Sequence, residues 1–111
     1  MKVQAIGLSK RSGEEIEVRH NEAASRFEAE VEGRLCVANY RLVDGVMRIH
    51  HTEVPPRLEG RGIAGRIVSE ALAYAEAHGL DVEPWCSFVR NYMRQHPDTQ
   101  KLLPAGFTLG R

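Results

Sequence analysis

The stretch from Thr52 to Leu80 constrains this sequence most, because it joins a strand end, a glycine-rich turn and a long amphipathic helix. A Pro-Pro pair at 55–56 breaks the strand, and the turn over 59–65 spells Glu-Gly-Arg-Gly-Ile-Ala-Gly. Apolar residues then recur at helical spacing and form one stripe: Ile63, Ile67, Val68, Ala71, Leu72 and Ala75. Gly79 follows where a left-handed cap ends a helix. The order strand, glycine turn, helix and strand is typical of an anion-binding unit, because the first amides of a helix lack internal partners.

Two interpretations of this turn remain open from its residues alone. It can be a tight connection before a core helix, a common arrangement in folded proteins. It can also be a cradle, in which glycines let a phosphate approach the backbone closely. The residues around the turn are needed to separate the two.

Upstream of the turn, apolar and polar residues alternate with period two, which predicts an antiparallel meander. The predicted strands cover residues 16–20, 27–31, 34–43 and 46–54, with hairpin turns at 32–33 and 44–45. In the last strand, alternation predicts one face made of Met47, Ile49, His51 and Glu53. The other face would hold Arg48, His50, Thr52 and Val54. Residues 3–8 are a candidate edge strand, and residues 1–14 are expected to be loosely held.

Downstream of the long helix, residues 80–87 predict a strand that returns parallel to 46–54, by a right-handed connection. Pro84 interrupts it and favours an edge position or a bulge. Residues 88–96 predict a short helix, and the tail is expected to be coil or a short last strand. The predicted fold class is mixed α/β: a twisted mixed sheet, an antiparallel meander and then a parallel β-α-β unit. Ligands bind where such parallel strands part at their carboxyl ends.

The composition predicts one globular domain over residues 1–111, with 42% hydrophobic and 27% charged residues. Fifteen basic and fifteen acidic residues cancel, which argues against a broad surface for nucleic acid or an anionic membrane. No apolar run has the length of a signal peptide or a membrane span. Cys36 and Cys86 suit neither a disulfide framework nor a metal site. We therefore expect a cytoplasmic protein without a metal.

Four blocks in fixed order carry a family resemblance. They are His-Thr-Glu-Val-Pro-Pro at 51–56, the glycine turn at 60–65, Pro-Trp-Cys-Ser-Phe-Val at 84–89, and Tyr92 with Arg-Gln-His-Pro at 94–97. Together they resemble the short, single-domain subgroup of the GNAT superfamily of acyl-CoA-dependent N-acyltransferases. The resemblance extends over most of the chain. It implies a GNAT-like fold and transfer of an acyl group, above all acetyl, from CoA to an amine.

In that superfamily, the main-chain amides of the glycine turn hold the CoA pyrophosphate within the pattern Gln/Arg, any, any, Gly, any, Gly/Ala. Gly62 and Ala64 match its last two fixed positions, whereas Glu59 departs from the first by bringing an acidic side chain near a phosphate. Three arginines are candidates to balance it: Arg57, Arg61 and Arg66. The resemblance implies acetyl-CoA as the acyl donor, held by Thr52, Val54, Glu59, Gly60, Arg61, Gly62, Ile63, Ala64, Gly65 and Asn91.

Catalysis requires a base, because an amine with a pKa of about 10 is mostly protonated at neutral pH. Family members draw this base from the strand before the turn or its neighbours, which makes His50, His51 and Glu53 the candidates. Because the predicted face of His51 includes Met47 and Ile49, a core histidine is an open alternative. Glu53 is harder to explain as a core residue, and His50 is expected at the surface.

Cys86 has three open interpretations at the end of the returning strand: a small core residue, a wall of the acetyl pocket, or a nucleophile. Direct transfer is the usual superfamily route and favours the first two. Tyr92 resembles a family tyrosine that protonates the departing thiolate, and a core tyrosine is equally consistent. Trp85 is expected on the opposite face, in packing, and Cys36 is expected in the core.

The chain is short for this superfamily. Only residues 21–24 separate its first two predicted strands, where larger members place helices that build the acceptor site. An open groove suits a peptide or protein amine, attacked directly in a ternary complex, and we expect a monomer or a weak homodimer. The alternatives are an acyl-CoA-binding or regulatory module with little turnover, and a generic phosphate or nucleotide binder.

Overall fold

A computed structural model describes residues 3–11 and 14–110, with side chains from Ile16 onward. The strands are β1 (Val3–Arg11), β2 (Glu14–Asn21), β3 (Arg26–Val31), β4 (Arg34–Val43), β5 (Val46–Glu53) and β6 (Asp81–Pro84). The α-helices are α1 (Ile63–Ala77) and α2 (Ser87–Gln95). Short 3-10 helices lie at Glu22–Ala24, Pro56–Leu58 and Pro97–Leu102. The expectation of a loosely held start includes residues 1, 2, 12 and 13, which lie outside the described residues.

The six strands form one sheet in sequential order. The first five pair antiparallel, and β6 pairs parallel to β5 after the α1 crossover. This confirms the predicted mixed α/β fold, including an edge strand near the start. The hairpin turns at 32–33 and 44–45 are also confirmed, since all four of their residues have positive φ, as type I′ turns require.

Helix α1 packs its apolar stripe on one face of the sheet, and all six predicted stripe residues are buried. Opposite them lie inward side chains of β3 and β4, among them Phe27, Ala29, Cys36 and Ala38. The helix ends at Ala77, and Gly79 adopts a φ of 69°, as predicted for the cap. Burial of this apolar area is the main stabilising term of such a layer. The core role of Cys36 is confirmed.

Two elements differ in length from their predictions. Strand β6 ends at Pro84, because proline has no N–H to continue the ladder and α2 begins three residues later. The predicted end of this strand at residue 87 is therefore wrong, although its edge position is confirmed. Within residues 97–110 the tail forms a 3-10 segment followed by coil, and no strand.

Strand β5 contains a β-bulge that its alternation does not reveal. Tyr40 of β4 pairs with Ile49, but the preceding Asn39 pairs with His51, so His50 is the extra residue. One inserted residue exchanges the two faces of a strand from that point on. The prediction that His51 and Glu53 share the face of Met47 and Ile49 is therefore wrong.

Beyond the bulge, Thr52 lies opposite Ala38 and thus on the buried face towards α1. His51 and Glu53 lie on the other side of the sheet, which we call the outer face. Their side chains are 52% and 66% exposed, so the interpretation of His51 as a core histidine is also wrong.

A buried histidine lies elsewhere, at the end of β2. His20 is 3% exposed, and its Nε2 lies 2.7 Å from the hydroxyl of Tyr40. Its ring stacks on Phe27 at 4.1 Å and meets the edge of Tyr74 at 4.4 Å. Burial raises the pKa of Tyr40 to about 12. The hydroxyl therefore stays protonated and shares this hydrogen bond with the ring of His20.

We expect stability to fall as pH drops below about 6.5. Burial lowers the pKa of His20; nearby Glu22 opposes the shift and His78 adds to it. Between the lowered folded-state pKa and 6.5, the unfolded chain binds more protons than the folded chain, so acid favours unfolding. Urea titrations across this range should show a pH slope that is smaller in His20→Gln. Equal slopes in the two proteins would contradict this assignment.

Candidate active site

The parallel strands β5 and β6 separate at their carboxyl ends. Their pairing runs from Val46–Asp81 to Ile49–Pro84, and the last bond across them is Trp85 N–H to the Ile49 carbonyl at 2.9 Å. Strand β5 continues to Glu53, whereas the segment after β6 turns away into α2. The predicted crevice is present, and the edge of β5 that faces it carries main-chain groups outside the β5–β6 ladder.

The glycine turn closes one end of this gap. Gly60 and Gly62 have φ values of 86° and 78°, which L side chains rarely adopt. Gly62 is the N-cap of α1 and provides no side chain to bond the first amides. The first helical bond is Arg66 N–H to the Gly62 carbonyl at 3.0 Å. The first amides of α1 therefore have no side-chain cap, a geometry that is compatible with an anion.

The gap and the turn enclose a cleft of about 510 Å³. Its lining consists of Thr52, Val54, Leu58, Glu59, Gly60, Gly62, Ile63, Ala64, Gly65 and Phe88. Eight of the ten predicted cofactor-binding residues are thus brought together. Leu58 and Phe88 were missed: Leu58 gave no signal of its own beside the Pro-Pro break, and Phe88 appeared only within a family block.

The other two predicted cofactor residues lie outside this lining. Arg61 extends towards the β3–β4 turn, where its Nη1 lies 2.8 Å from Glu32 Oε2. Asn91 is exposed on α2 and accepts a hydrogen bond from Arg94 at 2.6 Å. Arg61 therefore contacts the β3–β4 turn, and Asn91 contacts its neighbour on α2.

Two of the predicted balancing arginines pair with glutamates other than Glu59. The Arg61 guanidinium lowers the pKa of Glu32, which keeps that carboxylate charged and ties the turn to the sheet. Arg66 lies 2.5 Å from Glu70 and donates to Ser69 at 3.2 Å. The start of α1 adds the positive end of a helix dipole at the same place.

The base candidates form a pair on the outer face. His51 Nε2 lies 3.1 Å from Glu53 Oε1, and both side chains are more than half exposed. A carboxylate in this position can orient the imidazole ring through the hydrogen bond. The pair has the geometry of a histidine base held by an acid.

Cys86 lies on the other side of the gap from this pair. Its Sγ is 3.6 Å from Thr52 Oγ1, and the thiol is half-buried. Its carbonyl accepts the first helical bond of α2, from Arg90 N–H at 3.1 Å. The chain thus fixes Cys86 beside the inner wall of the gap, while His51 faces outward.

Tyr92 lines an adjoining cleft of about 420 Å³, which shares Gly62, Gly65 and Phe88 with the first. Its ring stacks on His96 at 3.9 Å, and the His96 Nδ1 lies 2.8 Å from the Tyr92 carbonyl. Burial raises the pKa of Tyr92, an effect that the nearby Ser69 hydroxyl partly offsets. The phenol therefore holds its proton at neutral pH.

Trp85 lies on the outer face, as predicted, but not in packing. The side chain is 54% exposed, so the expectation of a packed tryptophan is wrong. Its Nε1 donates to Glu83 at 2.9 Å, and the Arg48 guanidinium lies over the ring at 5.1 Å. These two contacts fix an exposed indole at the point where the strands part.

Within the described residues, no cluster of three or more His, Cys, Asp or Glu side chains is arranged to hold a metal ion. No helix of that part of the chain has both the length and the apolar character needed to cross a bilayer.

A strand gap, a glycine turn and a long helix in this arrangement define a candidate acyltransferase site. A family model described as GCN5-related N-acetyl-transferase matches residues 26–102, which is more than half of the 111 residues. The chain therefore belongs to the GCN5-related N-acetyltransferase family. It is 29% identical to Protein NATD1 of Gallus gallus over 90 residues, 78% of this chain and 82% of that protein. Protein NATD1 of Mus musculus is 29% identical over 93 residues, 81% and 84% of the two chains.

Proposed function

We propose that this protein transfers an acetyl group from acetyl-CoA to an amine, by direct attack in a ternary complex. The observation that carries the proposal is the cleft itself, in which an open strand edge leads to a helix start without a side-chain cap. Family membership supports the same activity at the level of N-acetyl transfer. The described chain forms one sheet, which supports a single catalytic domain.

The lining residues fit an acyl-CoA. Amides at the start of α1 suit a diphosphate, and a Cβ at Gly60 would project into open space at the turn. The free edge of β5 at Thr52 suits the amide groups of a pantetheine arm, and Leu58 and Phe88 supply apolar walls. When bound, acetyl-CoA supplies an activated acyl group. Arg61 and Asn91 are not part of the proposed CoA site, because neither lines the cleft.

We assign the base to His51, oriented by Glu53. The imidazole takes the proton from the protonated acceptor amine, and the Glu53 carboxylate holds the ring in position for this transfer. Tyr92 is the proposed proton donor to the thiolate that leaves, since its raised pKa keeps the phenol protonated. Both assignments agree with the chemistry of these groups, and the family resemblance supports them.

Cys86 is proposed to shape the pocket and not to carry the acyl group. Its half-buried thiol contacts Thr52, and His51 faces away from it across the sheet. Incubation with acetyl-CoA alone should leave the intact mass of the protein unchanged. Cys86→Ala should keep most of its turnover. A stoichiometric acetyl adduct on Cys86, together with loss of turnover in the variant, would replace direct transfer by a covalent route.

A thermal-shift screen with CoA, acetyl-CoA, longer acyl-CoAs and ATP tests the donor. A ligand that binds only the folded state at a hundred times its Kd adds about 2.7 kcal/mol, roughly 10 °C for a domain of this size. We expect acetyl-CoA to raise the midpoint and ATP to do much less. Equal effects of ATP and CoA would favour a generic nucleotide site.

Turnover separates the enzyme from a binding module. Purified protein that binds acetyl-CoA should release free thiol when peptide or small amines are added. Binding without thiol release across such a panel would favour a regulatory acyl-CoA-binding module.

Cys36 and Cys86 are both free thiols, which supports the reducing cytoplasm as the proposed compartment.

A further inference from the structure

The acceptor amine has a defined side of approach, if the proposed function holds. On the face towards α1, the sheet is covered by the core and by the cleft assigned to acetyl-CoA. The base pair His51 and Glu53 lies on the outer face. An amine that meets the thioester through the gap must therefore come from the outer face. The side chains on that rim decide which amine fits.

Trp85 is the large apolar side chain on this rim. The register ends with Trp85 N–H bonded to Ile49, directly before the bulge at His50, so the indole stands level with the bulge. It is 54% exposed, which packing does not explain. Arg48 covers one face of the indole ring, so the exposed area lies on the remainder of the ring. A fixed aromatic surface binds a flexible chain with little loss of its own entropy.

On this rim, one carboxylate has an oxygen available to a cation. Glu83 is neutralised by Arg48, whose Nε lies 3.0 Å from the carboxylate. Glu53 is bonded by His51 through Oε1, and among the described residues no donor reaches its other oxygen. A carboxylate with a free oxygen and an exposed indole on the same face of the sheet together match an ammonium on an aliphatic stem. Tryptophan is the strongest of the aromatic side chains in attracting such a cation.

We propose that Trp85 is a specificity-determining residue that binds the side chain of an acceptor lysine. The methylene stem lies on the indole, and the ammonium lies between the ring and Glu53, beside the base that deprotonates it. An amine without a cationic aliphatic stem lacks both contacts.

Trp85 is the single tryptophan of the chain, so its fluorescence reports directly on this surface. The CoA-saturated protein would be titrated with Nα-acetyl-lysine amide and, as a matched control, with its Nε-acetylated form. We expect a saturable change with the lysine compound and at least about tenfold weaker binding of the acetylated one. Equal responses to the two compounds, or no saturable response to either, would overturn the proposal.

Kinetics give an independent readout. Trp85→Ala should raise the KM for lysine peptides about tenfold, with kcat and the Kd for acetyl-CoA near their wild-type values. Leu42→Ala, which truncates another exposed apolar residue, should leave all three constants unchanged. An unchanged KM in Trp85→Ala would contradict the role of Trp85 and leave the proposed function intact. Absence of acetyl-CoA binding in the wild-type protein would instead contradict the proposed function.

Discussion

Replacing Gly62 by aspartate is expected to weaken acetyl-CoA binding by about tenfold to hundredfold, as measured by calorimetry. The substitution puts a carboxylate at the N-cap of α1, where the helix amides are proposed to hold a diphosphate. Two negative groups would then compete for the same donors. No other single change in the cleft should weaken donor binding more.

The backbone strain of this substitution needs its own control. At a φ of 78° a side chain strains the backbone, at a cost of about 1–2 kcal/mol. Part of any loss of affinity in Gly62→Asp would therefore come from destabilisation of the fold. Gly45 has the same φ of 78°, in the β4–β5 hairpin, with no atom within 4 Å of an added Cβ. Gly45→Asp should therefore lose similar stability and keep its affinity. Equal affinities in the two variants would reject the cradle.

His51→Ala is expected to lower kcat by about a hundredfold to ten-thousandfold, the usual contribution of a positioned general base. The Kd for acetyl-CoA should not change, because the side chain is on the outer face and the cleft is on the other. Steady-state kinetics with saturating acetyl-CoA and a lysine peptide would measure the first quantity, and calorimetry the second.

The neighbouring histidine provides a matched control. His50 is exposed and is the unpaired residue of the bulge, so His50→Ala removes the same chemistry one position away. It should retain kcat close to the wild-type value. Comparable losses in both variants would indicate a disturbed bulge and not a lost base, and full activity in His51→Ala would assign the base elsewhere.

Local signals in the sequence were sufficient for most of the fold. The hairpin turns at 32–33 and 44–45, the α1 stripe and the cap at Gly79 each follow from residue types at short range. The bulge at His50 does not, because it depends on how β5 registers against β4 and leaves no mark in the alternation. A single extra residue was enough to reverse the predicted faces of His51 and Thr52.

The residues of the candidate site also fall into two groups: those predicted from short-range sequence and those placed by tertiary contacts. Residues of the glycine turn were predicted from a local motif together with the family resemblance, and all of residues 59–65 except Arg61 line the cleft. The exposed position of Trp85 depends on contacts with Arg48 and Glu83, which are set by strand pairing. Likewise, the tie between Arg61 and Glu32 joins residues 29 positions apart. Such tertiary contacts override what a side chain's neighbours in sequence suggest.

The most direct test follows individual backbone amides by NMR during a titration with acetyl-CoA. We expect the largest shifts at Gly62, Ile63, Ala64 and Gly65, with further shifts along residues 52–54 and little change at Gly33 and Gly45. Saturable shifts centred on another part of the surface, with the amides of residues 62–65 unmoved, would contradict it.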